Sequence, residues 1–294
     1  MTIASMWFII DTAVCFRVSG KDSRRYLHNR LSQDIRSLQP GQSALAAALT
    51  AQGRVEGLFI VACESDDSFL VASDGGDALA LSQALMRFKV ADRVVCSDVS
   101  NEIALVHLAI DGVQARTLAH SAGLGVGACL QRARIALAGV DLIFTGINAE
   151  RAGEAVMPTL GAPLRRFEYD LLRWRAVCAT FPEEINEQGM LLEYGLRQAV
   201  SFTKGCYIGQ EVVERSDAIG RVPRQLERIQ LNGRELVGKG SPIVTPSGES
   251  LGKVIGEIKN DHDGSLYLFA LLSVGKYKRG DDVQCAQRHG KIVE

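Results

Sequence analysis

The spacing of apolar residues changes near Arg224, and this change constrains the fold most strongly. From there onward the chain has short β-type runs separated by three groups of turn residues. They are Asn232-Gly233, Pro246-Ser247-Gly248 and Asp263-Gly264. Short strands that follow one another at close spacing are typical of a barrel or sandwich. The sequence therefore predicts a small β-barrel over residues 221–294 and a separate body over residues 1–220.

The body mixes helical and strand patterns. Leu27, Leu31, Ile35 and Leu38 recur every three to four residues, which predicts a helix over Asp22–Leu38. Further helices are predicted over Ala78–Lys89, Val113–His120, Asn148–Pro158 and Phe167–Cys178. Strands are predicted over Ala44–Leu49, Val55–Ala62, Phe69–Ser73, Ile103–Ile110, Ala133–Gly139 and Asp141–Gly146. This mixture predicts an α+β body, with room for two mixed α/β subdomains.

Length and charge limit the function classes. A chain of 294 residues with 47% hydrophobic residues is long enough for two or three cores. The formal net charge of -1 gives no overall attraction to nucleic acid or to an anionic membrane. The first residues lack a basic leader, and no apolar run approaches the roughly 18 residues that span a bilayer. We therefore expect a cytoplasmic protein that contacts neither nucleic acid nor membrane directly.

The cysteines point to packed thiols. There are seven, widely spaced and mostly inside apolar runs, as in a reducing compartment. No pair of cysteines or histidines has the spacing of a zinc finger or a ferredoxin. We expect no permanent metal site.

One segment departs from this pattern. Lys204–Glu211, with the sequence KGCYIGQE, places Cys206 near Lys204 and between Gly205 and Gly209. A cation beside a thiol lowers its pKa, and glycines let backbone approach a ligand closely. Cys206 and Lys204 are therefore candidate reactive residues. The alternative is a buried structural cysteine, because free cysteine is among the most buried residue types.

The surrounding sequence SFTKGCYIGQEVVER, residues 201–215, resembles the signature of the YgfZ family. Those are folate-binding proteins that assist iron-sulfur enzymes and are related to the glycine-cleavage T-protein. The segments Phe16–Ile35, Ala51–Arg54 and Leu191–Phe202 are also similar to that family, with Glu193 at its acidic position. The resemblance implies a T-protein-like folate-binding body followed by the barrel.

The resemblance also implies a site. Tetrahydrofolate would bind in a cleft between body and barrel, where Gln210 and Glu211 suit the amide-rich edge of a pterin. Alternatively, Glu211 is only an acidic residue that stabilises the first turn of a helix. The residues implied for the cofactor are Gly205, Tyr207, Gly209, Gln210, Glu211, Glu193 and Arg215. The folate carboxylates suit the arginines at 165, 166, 173, 175, 215, 221 and 224, although most surface arginines only face solvent.

Two departures separate this chain from T-proteins. Their first strand turn carries a catalytic acidic pair, and here only Glu56 is nearby. Where T-proteins carry an acidic residue that contacts the pterin, this chain has Val177. The first departure argues against aminomethyl transfer, and the second means that folate binding must rest on other residues.

Three functions remain. The first is a folate-binding accessory factor that assembles or repairs iron-sulfur clusters in client enzymes, including radical enzymes that modify tRNA, with client or assembly proteins as partners. The second is a tetrahydrofolate-dependent aminomethyltransferase, in which Glu56 or Glu193 serves as acid or base. The third is a module that uses the same cleft only to dock a partner protein.

Overall fold

An antiparallel sheet of five strands is the centre of the body. The computed structural model describes residues 6–135, 138–233, 235–259 and 264–293. The strands are β2 (Val14–Ser19), β3 (Ser43–Leu49), β4 (Val55–Ser65), β5 (Ser68–Ser73) and β6 (Val95–Asp98), in the spatial order β3-β4-β5-β2-β6. Helices α1 (Ser23–Arg30) and α2 (Ala78–Met86) pack on this sheet. Both faces are covered, so the central strands are buried along most of their length rather than on alternate residues.

A second antiparallel sheet packs against the first through its edge strand. It contains β1 (Trp7–Ile9), β7 (Ile103–Leu108), β8 (Gly125–Gln131) and β9 (Val140–Thr145), in the order β1-β7-β9-β8. Helices α3 (Gly112–Ser121) and α4 (Ala149–Leu160) cover one face and enclose a core with Trp7 and Phe144. Asn148 caps α4 by accepting from the Arg151 amide, as the sequence predicts.

The C-terminal part is a closed barrel. Its strands are β10 (Arg224–Asn232), β11 (Pro242–Val244), β12 (Ser250–Lys259), β13 (Ser265–Ser273), β14 (Asp282–Cys285) and β15 (Arg288–Ile292), in the order β10-β13-β12-β11-β14-β15. Inward-facing Ile, Leu and Val side chains fill it. The predicted α+β body and C-terminal barrel are confirmed, although Asp263 of one predicted turn lies outside the described residues.

Two further helices connect body and barrel. Helix α5 (Arg166–Arg175) docks on the barrel, because the Trp174 indole donates to the Leu268 carbonyl at 2.8 Å. Helix α6 (Gln210–Ala218) ends shortly before β10 begins. Within the described ranges, no helix has the length and apolar character needed to cross a lipid bilayer.

The predicted helix over Asp22–Leu38 is wrong in its second half. The helix ends at Arg30, and Leu31 is extended and bridges to Ala48. The Asp34 carboxylate accepts from the backbone amides of Arg36 and Ser37, which offers the chain a turn instead of a helix. Leu31 and Ile35 are buried all the same, so burial alone produced the helical spacing.

The predicted strand over Ala133–Gly139 is also wrong where the chain is described, since residues 136 and 137 lie outside those ranges. Arg134 points inward and its guanidinium binds Asp74 and Asp141, both buried carboxylates. This segment therefore does not pair as a strand. Its Arg134 side chain forms ion pairs in the interior instead.

Candidate functional site

The cysteine segment, Lys204–Glu211, is hydrogen-bonded to the end of α1 through Lys204. Its ammonium group donates to the carbonyl oxygens of His28, Leu31 (2.6 Å) and Gln33 (3.1 Å). A cation at a helix C-terminus satisfies carbonyls that have no partner within the helix. Burial lowers the pKa of Lys204 to about 8. In the described part of the chain, no hydrogen bond joins Lys204 to the Cys206 thiol.

Gly209 fastens the other end of the segment. Its φ is +84°, and a Cβ there would lie 2.6 Å from the Thr50 carbonyl oxygen. Gly53 approaches from the opposite side, because a Cβ on it would lie 3.0 Å from the Val212 side chain. The glycine of the segment and the glycine of the 51–54 turn are therefore required for the same close contact.

Cys206 lies exposed between these two attachments. It is the exposed member of the seven cysteines, whereas the others are buried or half-buried. A Cβ on Gly205 would meet no atom within 4 Å, so the chain is open beside the thiol. Tyr207 is buried under the ammonium of Lys204, 4.9 Å from the ring centroid, and burial raises the pKa of its hydroxyl to about 12. The accessible thiol that the functional hypothesis needs is present.

The next predicted cofactor residues make side-chain contacts along α6. Gln210 donates to Glu214 at 2.6 Å, and Arg215 pairs with Glu211 at 2.5 Å, both along the exposed surface of α6. These are one-turn contacts of a solvated helix face.

A cleft lies where the sequence predicts one, between body and barrel. This barrel cleft has a volume of about 590 Å³ and is lined on the body side by Glu193, Tyr194 and Arg197, and on the barrel side by Leu226 and Val274. Of the predicted site residues, Glu193 lines it and the cysteine segment does not.

A second cleft of about 580 Å³ adjoins the first. This strand cleft is lined by residues at the start of β3, by Arg132 and by Cys178. The two clefts share Val177, Tyr194 and Gly195.

Both carboxylates proposed for transferase chemistry are bound by arginines. Glu193 is fully buried and accepts from Arg224 at 2.8 and 2.7 Å. Glu56 is buried between Arg30, at 2.6 Å, and Arg87. Both carboxylates are therefore already engaged as the counter-charges of arginines.

Most of the arginines considered for folate carboxylates are already paired. Five of them bind acidic side chains: Arg165, Arg166, Arg173, Arg215 and Arg224. Arg175 and Arg221 are exposed and form no ion pair among the described residues. Of these two, only Arg221 lines the barrel cleft. Sequence reasoning placed it in a group of seven without distinguishing it.

The structure contains a buried cluster of ion pairs that the sequence did not predict. Arg134 binds Asp74 at 2.5 Å and Asp141 at 2.8 Å, and Asp141 also contacts His107 at 2.9 Å. Burial by itself would raise the pKa of Asp141, but Arg134, the hydrogen bond with His107 and Arg132 together hold it well below its usual range. The cluster links the two sheets and lies apart from the cysteine segment. Within the described ranges, no group of three or more His, Cys, Asp and Glu residues is arranged to bind a metal ion.

Comparison with known proteins gives distant relatives. No protein-family model matches the chain. The chain is 26% identical to an aminomethyltransferase of Herpetosiphon aurantiacus, over 97% of this chain and 83% of that protein. It is 29% identical to an aminomethyltransferase of Rubrobacter xylanophilus, over 82% and 68%. It is 24% identical to the tRNA-modifying protein YgfZ of Colwellia psychrerythraea, over 87% and 82%.

A solved structure shares the fold. The glycine cleavage system aminomethyltransferase T of Bartonella henselae superposes with a TM-score of 0.75 at 17% identity, over 98% of this chain and 84% of that one. The predicted T-protein-like fold is therefore confirmed. Together the relatives support a place in the T-protein superfamily.

Proposed function

We propose that the chain is a cytosolic folate-binding accessory factor for iron-sulfur enzymes, of the YgfZ type. One observation carries this proposal: Glu56 and Glu193 are both bound by arginines, whereas Cys206 is exposed. An aminomethyltransferase needs a free acid or base near the folate nitrogen. An accessory factor needs a bound folate and an accessible thiol.

The barrel cleft suits a reduced folate. Its volume lies within the range of about 300–1,000 Å³ that small-molecule sites occupy. Val177, Leu226 and Val274 offer apolar surface for the rings, and Arg221 offers a guanidinium for a glutamate carboxylate. The ion-paired Glu193 would form part of the wall.

Cys206 would act as a transferring thiol rather than as a storage site. A stable cluster takes about four protein thiolates, and no such group exists among the described residues. The resemblance of residues 201–215 to the YgfZ signature is the reason for proposing iron-sulfur enzymes as clients. One relative is the tRNA-modifying protein YgfZ.

Calorimetry with tetrahydrofolate tests the ligand. We expect binding by the wild type, and affinity about tenfold weaker for Arg221→Gln, which loses a charge-assisted hydrogen bond. Arg215→Gln is the matched control, because Arg215 is equally exposed but pairs with Glu211 outside the cleft. Equal affinities of the two variants would refute the assigned ligand position, and no heat from the wild type would refute folate binding.

Complementation tests the role. In a strain that lacks this gene, wild type should restore client iron-sulfur enzyme activity and Cys206→Ser should not. Full rescue by Cys206→Ser would refute the role of the thiol.

The aminomethyltransferases among the relatives favour a second candidate, a folate-dependent aminomethyltransferase. Turnover of an aminomethyl donor with tetrahydrofolate would establish it.

A further inference from the structure

Helix α5 ends with valine where a glycine is usual. The Cys178 amide donates to the Arg173 carbonyl at 2.9 Å, and the Val177 amide donates to the Trp174 carbonyl at 3.0 Å. These two bonds define the Schellman helix end, whose left-handed residue is most often glycine. Here that residue is Val177, with φ of +54°. A β-branched side chain in the left-handed region is a genuine outlier and costs conformational energy.

The strained residue lies where the two clefts meet. Of the three residues that they share, Gly195 has no side chain, and a Cβ placed on it would meet no atom within 4 Å. Tyr194 is buried, and its hydroxyl bonds the backbone of Asn186. Val177 is therefore the half-buried one of the two side chains that line both clefts.

We propose that Val177 is a partition that confines a folate to the barrel cleft and keeps it out of the strand cleft. The inference rests on the proposed function, because it takes tetrahydrofolate as the ligand of the barrel cleft. It makes Val177 a specificity-determining residue: glycine would relieve the backbone strain at this position but would join the clefts. A folate in the barrel cleft would then be separated from any molecule that enters the strand cleft. This separation suits a protein that binds folate without turning it over.

Cys178 can report on the partition, because it is one of the residues that line the strand cleft. In the wild type, saturating tetrahydrofolate should leave the rate of Cys178 alkylation unchanged. In Val177→Gly the ligand should extend into the strand cleft and protect Cys178. With tetrahydrofolate at about ten times its dissociation constant, the alkylation rate in that variant should fall about tenfold. The exposed Cys206, which lines neither cleft, is the internal reference.

Affinity gives a second readout. Val177→Gly should bind tetrahydrofolate about three- to tenfold more weakly, because the apolar contact with the isopropyl group is lost. Gln287→Gly is the matched control: Gln287 also has a positive φ, +65°, but lies in the β14–β15 turn of the barrel. It should bind as the wild type does.

The outcomes separate the two proposals. If the wild type binds tetrahydrofolate but Val177→Gly shows the same affinity and an unprotected Cys178, the partition is refuted and folate binding stands. Protection of Cys178 in the wild type would also refute the partition, since the clefts would then communicate past Val177. Absence of binding to the wild type would refute the proposed function and, with it, a specificity role for Val177.

Discussion

Glu56→Gln should destabilise the protein strongly. The Arg30 side chain is 1% exposed and donates to Glu56 at 2.6 Å, as well as to the carbonyl oxygens of Ala84 and Leu49. Glutamine keeps the size of the side chain but removes the negative charge. The guanidinium of Arg30 would then be buried beside a neutral amide.

The size of the effect follows from burial. Removing one partner of a buried ion pair costs about 3–5 kcal/mol, because the remaining charge has no compensation. The glutamine oxygen still accepts one hydrogen bond, so we expect about 3 kcal/mol. Arg87, the second partner of Glu56, is 51% exposed and can turn to solvent. The loss of the Arg87–Glu56 ion pair therefore adds little to the cost in stability.

Urea unfolding of wild type and variant measures this difference. The control is Glu211→Gln, whose partner Arg215 is 67% exposed, so that its loss should cost less than about 1 kcal/mol. A loss below about 1 kcal/mol for Glu56→Gln would refute the assignment of Glu56 as a structural counter-charge.

Binding distinguishes this role from catalysis. Folded Glu56→Gln should bind tetrahydrofolate with wild-type affinity, since Glu56 lines neither cleft. If the wild type transfers aminomethyl groups and Glu56→Gln loses about a hundredfold in that rate, the second candidate function would be favoured instead.

Three further predictions concern Glu193, Lys204 and Cys206. Glu193→Gln should cost about 2 kcal/mol in urea unfolding, less than a fully buried pair because Arg224 is 34% exposed. Burial lowers the pKa of Lys204 from 10.5 to about 8, so the folded state binds fewer protons than the unfolded state between these values, and stability should rise with pH there. Unfolding of Lys204→Met across that window should lack this rise, and an unchanged profile would contradict it. Brief iodoacetamide treatment should modify Cys206 first because it is exposed, and mass mapping that found Cys178 modified earlier would oppose this order.

The sequence predicted elements well where spacing and burial agree. Strands β3, β4, β5 and the barrel strands lie close to their apolar runs. The region after Arg30 shows where spacing misleads: Leu31 is buried in an extended bridge to Ala48, and Ile35 is buried in a turn that Asp34 stabilises. Periodicity does not distinguish this arrangement from a helix. The ion pairs of Arg134 depend on contacts between distant strands, which local patterns do not contain.

The candidate site was predictable in part. The setting of Cys206 between two glycines left both an accessible thiol and a buried structural cysteine open, and the structure shows the thiol exposed. The contacts of the Lys204 side chain could not be predicted, because its partners are carbonyl oxygens at residues 28–33, far away in the sequence. The separation of the barrel cleft from the cysteine segment likewise depends on tertiary packing.

The end of α1 connects these features physically. Its carbonyl oxygens accept from Lys204, and its last residue, Arg30, binds Glu56 at the start of β4. The turn that precedes β4 contains Gly53, which packs with Gly209 at the other end of the cysteine segment. Both ends of the segment are thus fixed to one rigid corner of the body, and Cys206 lies on the open stretch between them. Cys206 is thus exposed and lies outside the barrel cleft, an arrangement that agrees with the proposed role of its thiol toward a client protein rather than toward a ligand in that cleft.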